Sequence, residues 1–229
     1  MQRKQDDTPV TIADQKVNRL VITELARAFP ADGVIGEEES TAGYGPGRKW
    51  FCDPIDGTKG YTWGTPTAMF SLGLVIDGRP VMGVAYDPFL NRLYAGVKGE
   101  GSFCDGKPLK VSRHPLKGGT VATTSNVERI LQRLPHLVWL DEQGARLGTF
   151  SGAVYKVCLV ARGKFVGYLE EWVNAHDMAA MEVIVEEAGG TLTGLDGEEL
   201  DYTKPFKGAI ASNGVVHGEL VEAMSKEKR

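Results

Sequence analysis

The stretch WFCDPIDGTKGYTWG, residues 50–64, sets Asp53 and Asp56 on either side of Pro54 and Ile55 and follows them at once with Gly57, Thr58, Lys59 and Gly60. Pro, Asp and Gly are turn formers for separate reasons, so one reading is a plain turn. The approach through Lys49, Trp50 and Phe51 reads instead as a strand that delivers the aspartates to its C-terminal edge. Hard cations such as Mg²⁺ take carboxylate, water and phosphate oxygens, and a kinked backbone can add the Ile55 carbonyl. Gly57 and Thr58 stand where a helix can begin, with N–H groups available to an anion. These six residues alone leave both readings open.

Working outward on the N-terminal side, Val17, Leu20, Val21 and Leu25 form an apolar stripe that predicts a helix over residues 11–29, with Thr11 as N-cap and Asp14 completing a capping box. GVIG (33–36) reads as a short strand leading into Glu37, Glu38 and Glu39, and TAGYGPGR (41–48) as a Gly-rich surface loop. On the C-terminal side, AMFSLGLVID, PVMGVAYD and RLYAGVK, separated by turn residues, predict an antiparallel meander, and a DGK turn follows at 105–107. Beyond it the pattern alternates. Strands are expected at TVATT, HLVWL, KFVGYLE and GAIASN. Helices are expected at NVERILQRL, SGAVYKVCLVARG, DMAAMEVIVEEAGG and GVVHGELVEAM. A meander followed by alternation indicates layered α/β structure.

The bulk properties narrow the class. At 229 residues the chain is expected to be one domain, read as two lobes of about 1–115 and 116–229. With 42% hydrophobic and 24% charged residues it belongs among folded chains rather than disordered ones. A net charge of −4 provides no basic field for nucleic acid. No apolar run is long enough to span a bilayer and the polar start MQRKQDDTPV is no secretory signal, so no membrane partner is expected. Cys52, Cys104 and Cys158 lack metal-ligand spacing and read as reduced thiols of a cytoplasmic protein.

Each remaining acid has a plain role. Glu37–Glu39 can be solvated surface, Asp14 a capping-box acid, and Asp177 the cap of the helix at DMAAM. Their common feature is position at element ends, where loops gather active sites. His176 is read as a supporting residue, because adjacent side chains are expected to diverge from Asp177. The four histidines lack zinc spacing, GTKG lacks the upstream glycine of a P-loop, and no Gly-x-Ser-x-Gly elbow occurs.

Together, PVTIADQKV (9–17), GVIGEEES (33–40), WFCDPIDGTKGY (50–61) and HDMAAMEVIVEEAGG (176–190) resemble the inositol monophosphatase family of lithium-sensitive, Mg²⁺-dependent phosphatases, in order and spacing along nearly the whole chain. The resemblance implies an α-β-α-β-α sandwich like that of fructose-1,6-bisphosphatase. It implies two to three Mg²⁺ ions, held by Glu37, Asp53 and the Ile55 carbonyl, by Asp53, Asp56 and Asp177, and by Glu37 at a third position. It also implies that Asp14 and Thr58 position and help deprotonate the attacking water, that Gly57 and Thr58 receive phosphate, and that Ser151, Gly152, Ala153 and Glu170 line the substrate side. A homodimer acting on a small phosphorylated substrate is implied as well.

Charge makes a separate point: five bare carboxylates would repel a phosphate dianion, so cation binding must precede substrate. Inositol or sugar phosphates are the leading expectation. Lys59-Gly60 after the threonine resembles relatives acting on adenosine 3′,5′-bisphosphate, and histidinol phosphate and fructose bisphosphate stay open, as does an inactive binding module. The chain departs from the family twice: His176 stands where tryptophan is usual, and only eight residues precede Pro9 where a further helix is usual, so that first helix is expected to be trimmed or absent.

Overall fold

The computed structural model describes residues 2–3, 9–124 and 134–226. The helix expected at NVERILQRL lies almost entirely outside them. A small ribbon pairs β1 (Gln2–Arg3) with β2 (Pro9–Val10) ahead of α1 (Ile12–Ala28). A seven-stranded sheet follows, from β3 (Gly33–Gly36), β4 (Arg48–Asp56), β5 (Met69–Ile76), β6 (Arg79–Asp87), β7 (Arg92–Val97), β8 (Gly101–Cys104) and β9 (Lys107–Pro108), in sequential order. Only β3 and β4 are parallel; the rest is the expected meander. The short α2 (Thr58–Trp63) leaves the end of β4.

The second half supplies β10 (Thr120–Thr123), α3 (Pro135–Glu142), β11 (Arg146–Thr149), α4 (Ala153–Ala161), β12 (Gly167–Glu170), α5 (Ala175–Glu187), β13 (Thr191–Thr193), β14 (Ala209–Ser212) and α6 (His217–Ser225). Its five strands lie in the order β11-β10-β12-β14-β13, the first three parallel. Helix α1 lies against β4, α4 and α5 fill the space between the sheets, and α3 and α6 cover the far side of the second sheet. The layers therefore run α-β-α-β-α.

Helix α5 explains the middle layer. Ala175 and all residues from Asp177 to Val185 are buried, because a helix between two sheets has no solvent face. It approaches the first sheet closely through Gly73 and Gly83. A Cβ on Gly83 would lie 2.4 Å from the Ala180 carbonyl oxygen, so only glycine allows this contact.

Three expectations about local structure are corrected. HLVWL is not a strand but the body of α3. Pro135 at its first position presets the helical φ, and buried His136, Leu137 and Leu140 repeat at helical spacing. The stripe on α1 is rotated: Asp14 and Asn18 are its buried residues, Ile22 and Leu25 pack on Val34, Trp50 and Leu74, and Leu20 is 60% exposed. The polar anchors decide this rotation, since Asn18 Nδ2 donates to the Glu39 carbonyl at 2.9 Å. Asp177 is not the first cap residue of its helix, which starts earlier, after Asn174; as the third helical residue it closes the capping box instead.

Candidate active site

Two residues three apart in a strand point to opposite faces. Along β4, Asp53 pairs with Ser71 but Asp56 pairs with Met69, so one extra residue is inserted between them. Proline cannot donate to a ladder, and a bulge at Pro54-Ile55 removes the need. The extra residue turns both aspartates to one side, which is what a shared cation needs. Asp53 Oδ1 accepts from Ile55 N–H at 3.0 Å, and Thr58 Oγ1 donates to the Ile55 carbonyl at 3.2 Å.

Asp56 is held from the other half of the chain. Its Oδ1 and Oδ2 accept from Ala153 N–H at 3.0 Å and Val154 N–H at 2.8 Å, at the start of α4. Two glycines permit this approach. Gly57 has φ 81° and Gly152 φ 92°; a Cβ on the first would meet Gly152 Cα at 2.9 Å, and one on the second the Thr67 carbonyl oxygen at 2.3 Å. Ser151 Oγ accepts from Gly60 N–H at 3.3 Å. Ser151, Gly152 and Ala153 thus line the cleft and also brace α2 and Asp56.

Asp14 and Asp177 share one design. Each is the third residue of its helix and spends Oδ2 on the residue before the helix: Asp14 on Thr11 N–H and Oγ1, at 2.8 and 2.5 Å, and Asp177 on Asn174 N–H, at 2.6 Å. A capping role and a ligand role are therefore compatible, because a carboxylate has a second oxygen. Asp14 Oδ1 is buried without a partner among the described residues.

The acids assemble in two groups whose ligand atoms lie within 4.8 Å of one another: Asp53, Asp56 and Asp177, all buried, and Asp14, Glu37 and Glu38. Glu39 is exposed and faces Arg19 instead. Burial first, then the charges of Glu37, Asp177 and Asp56, hold the Asp53 carboxyl well above its usual range. Burial, then Asp177, push Asp56 up to about 8, against the two N–H donors and Lys156. Carboxyls raised in this way bind protons where no cation balances them.

A cleft of about 440 Å³ opens over these groups, lined by Glu37, Asp53, Ile55, Asp56, Gly57 and Thr58 on one side and by Ser151, Gly152, Ala153, Glu170 and Asp177 on the other. Asp14 lies beneath it, not on its wall. His176 does not diverge from Asp177. The pair sits on a helix rather than a strand, Nε2 lies 3.7 Å from Asp177 Oδ1, and both residues line the cleft.

Sequence reasoning missed five further lining residues, Tyr44, Lys156, Trp172, Val173 and Asn174. Lys156 carried a signal, being the one charged residue in the apolar helix AVYKVCLVA. All three cysteines are free, and no described helix is long and apolar enough to cross a membrane.

Comparison with known proteins agrees with this geometry. The model of the inositol monophosphatase family matches residues 1–229. Bovine (Bos taurus) inositol monophosphatase 1 is 33% identical over 95% of this chain and 80% of its own. The histidinol-phosphatase of Streptomyces coelicolor is 38% identical over 96% of this chain and 85% of its own. The solved structure of a Thermotoga maritima IMPase superposes with a TM-score of 0.88 at 28% identity, covering 98% of this chain and 87% of that one. The chain belongs to the inositol monophosphatase family and is, with it, a phosphoric monoester hydrolase.

Proposed function

We propose that the chain hydrolyses monoesters of small polyols, inositol monophosphate or a similar sugar phosphate, with Mg²⁺ bound and water as the nucleophile. The observation that carries this reading is the convergence of Glu37, Asp53, Asp56 and Asp177 on one cleft that also holds the start of α2 and, on its other side, Glu170.

The donor set fits divalent cations. It is all oxygen, its buried carboxyls are raised by burial first and then by their mutual charge, and Asp14 Oδ1 has no partner among the described residues. Glu37, Asp53 and the Ile55 carbonyl would hold one ion, Asp53, Asp56 and Asp177 a second, and Glu37 a third. Bound there, Mg²⁺ acidifies water near neutral pH and offsets charge on the transferring phosphoryl group. The protein's own groups do the rest. Gly57 and Thr58 N–H, at a helix start where backbone donors lack intrahelical partners, receive phosphate oxygens. Thr58 Oγ1 orients the water and relays its proton to the Asp14 carboxylate beneath the cleft. Glu170 accepts hydrogen bonds from hydroxyls of the alcohol.

The test is phosphate release from inositol 1-phosphate, adenosine 3′,5′-bisphosphate, fructose 1,6-bisphosphate and histidinol phosphate, with and without Mg²⁺. Turnover of a polyol phosphate that requires Mg²⁺ and collapses in a folded Asp56→Asn variant is expected. Strong preference for another member would replace the substrate, and absence of any turnover would overturn the reading. The family resemblance extends the same reading to a homodimer and to lithium inhibition, checked by light scattering and by lithium titration of this assay.

A further inference from the structure

Of the five carboxylates that line the cleft among the described residues, four are assigned above to cations, which leaves Glu170 to meet the organic part of a substrate. Glu170 is already paired. Lys156 Nζ lies 2.6 Å from its Oε2, donates to the Thr123 carbonyl at 3.0 Å, and stands 5.4 Å from the centre of the Tyr168 ring. Tyr168 Oη donates to the same Oε2 at 3.3 Å. The Lys156 side chain is 2% exposed and that of Glu170 16%.

A buried ammonium is costly without its counter-charge, so this pair is a permanent part of the wall. Its effect on recognition follows from charge. The pair has no net charge, so a protonated amine on the substrate gains little from Glu170 and is repelled by Lys156. A hydroxyl loses nothing, because a paired carboxylate still accepts hydrogen bonds.

We propose that Lys156 determines specificity: by neutralising Glu170 it selects phosphate esters of uncharged polyhydroxyl alcohols and disfavours esters whose alcohol carries a protonated amine. The inference rests on the phosphomonoesterase reading and names the substrate class of the same cleft.

The experiment compares kcat/KM for inositol 1-phosphate and histidinol phosphate in wild type, Lys156→Met, Glu170→Gln and the double variant. The readout is the ratio of the two values. Wild type is expected to favour inositol 1-phosphate. Lys156→Met exposes the Glu170 charge and is expected to move the ratio about tenfold or more toward the amine, a scale typical of one changed polar contact. Glu170→Gln leaves Lys156 uncompensated and is expected to move it the other way. The double variant, neutral at both positions and tolerable as a replaced buried pair, is expected to return near the wild-type ratio.

Should Lys156→Met fail to fold by circular dichroism, Glu170→Gln and the double variant carry the test. A purely structural pair would lower both substrates together, and an unmoved ratio overturns the proposal, as does a wild-type preference for histidinol phosphate. If wild type hydrolyses neither of these esters nor the other two phosphates of the panel above, the function reading fails separately. The selectivity is then read from nuclear magnetic resonance titrations with myo-inositol and histidinol. Weaker histidinol binding, weakened further by Glu170→Gln, supports the proposal; equal binding unchanged by that variant overturns it.

Discussion

Metal-free protein should lose stability as the pH rises from 5 to 8, and Asp56 should account for a measurable part of that loss. Burial and Asp177 push the Asp56 pKa from 3.8 up to about 8. The folded state therefore keeps a proton that the unfolded chain has already released. Stability from this group is full below about pH 4 and is lost as the pH rises through the folded pKa. At about 1.4 kcal/mol per pH unit over nearly three units, the loss from pH 5 to 8 is about 4 kcal/mol. For a chain of this size that is roughly 10 °C in Tm. Asp56→Asn cannot titrate, and the backbone hydrogen bond it gives up costs the same at every pH. The assay is urea unfolding of both proteins in chelator at pH 5, 6.5 and 8, reading how their stability difference changes with pH. Glu182, also raised by burial, to about 7, is common to both proteins and cancels. Mg²⁺ should stabilise the wild type by about 2.7 kcal/mol at pH 8 when free Mg²⁺ is a hundredfold above its Kd there, and by less at pH 5. A wild-type-minus-variant difference that stays flat from pH 5 to 8 would falsify the charge argument.

Three further outcomes follow from packing. Gly83→Ala should cost about 1–3 kcal/mol in urea unfolding at unchanged slope, because its Cβ meets rigid α5 backbone, whereas Gly43→Ala, with no atom within 4 Å of the added carbon, should cost almost nothing. Gly152→Ala, placed against the Thr67 carbonyl, should move the N–H groups of Ala153 and Val154 off Asp56 and weaken Mg²⁺ activation by about 10–100-fold; an unchanged Mg²⁺ titration would show that this support is dispensable. Thr11→Ala should cost about 1 kcal/mol by thermal melt and lower kcat as well, since the same hydroxyl holds Asp14 Oδ2; loss of stability with full activity would leave Asp14 a cap alone.

Much of the fold was legible because the relevant signals are local. The meander showed as alternating strands between turn residues, and α1 as Thr11 with Asp14 at capping-box spacing. The failures were local ambiguities settled from outside. HLVWL is a short apolar run that suits either period, and packing of α3 on α6 favours the helix. The Leu20 stripe misled because buried Asp14 and Asn18, not the apolar residues, set how α1 turns toward the sheet.

The candidate site divides in the same way. Residue identity and order by themselves determined which acids were available, which glycines flanked them, and that oxygen ligands suit a hard cation. Tertiary structure alone decided that the bulge brings Asp53 and Asp56 to one side, and that Ala153 and Val154 reach across the chain to hold Asp56. It likewise decided that Lys156 is spent on Glu170. The reason is physical: propensity and capping act over a few residues, whereas the field at a buried carboxylate depends on every charge and donor that packing brings beside it.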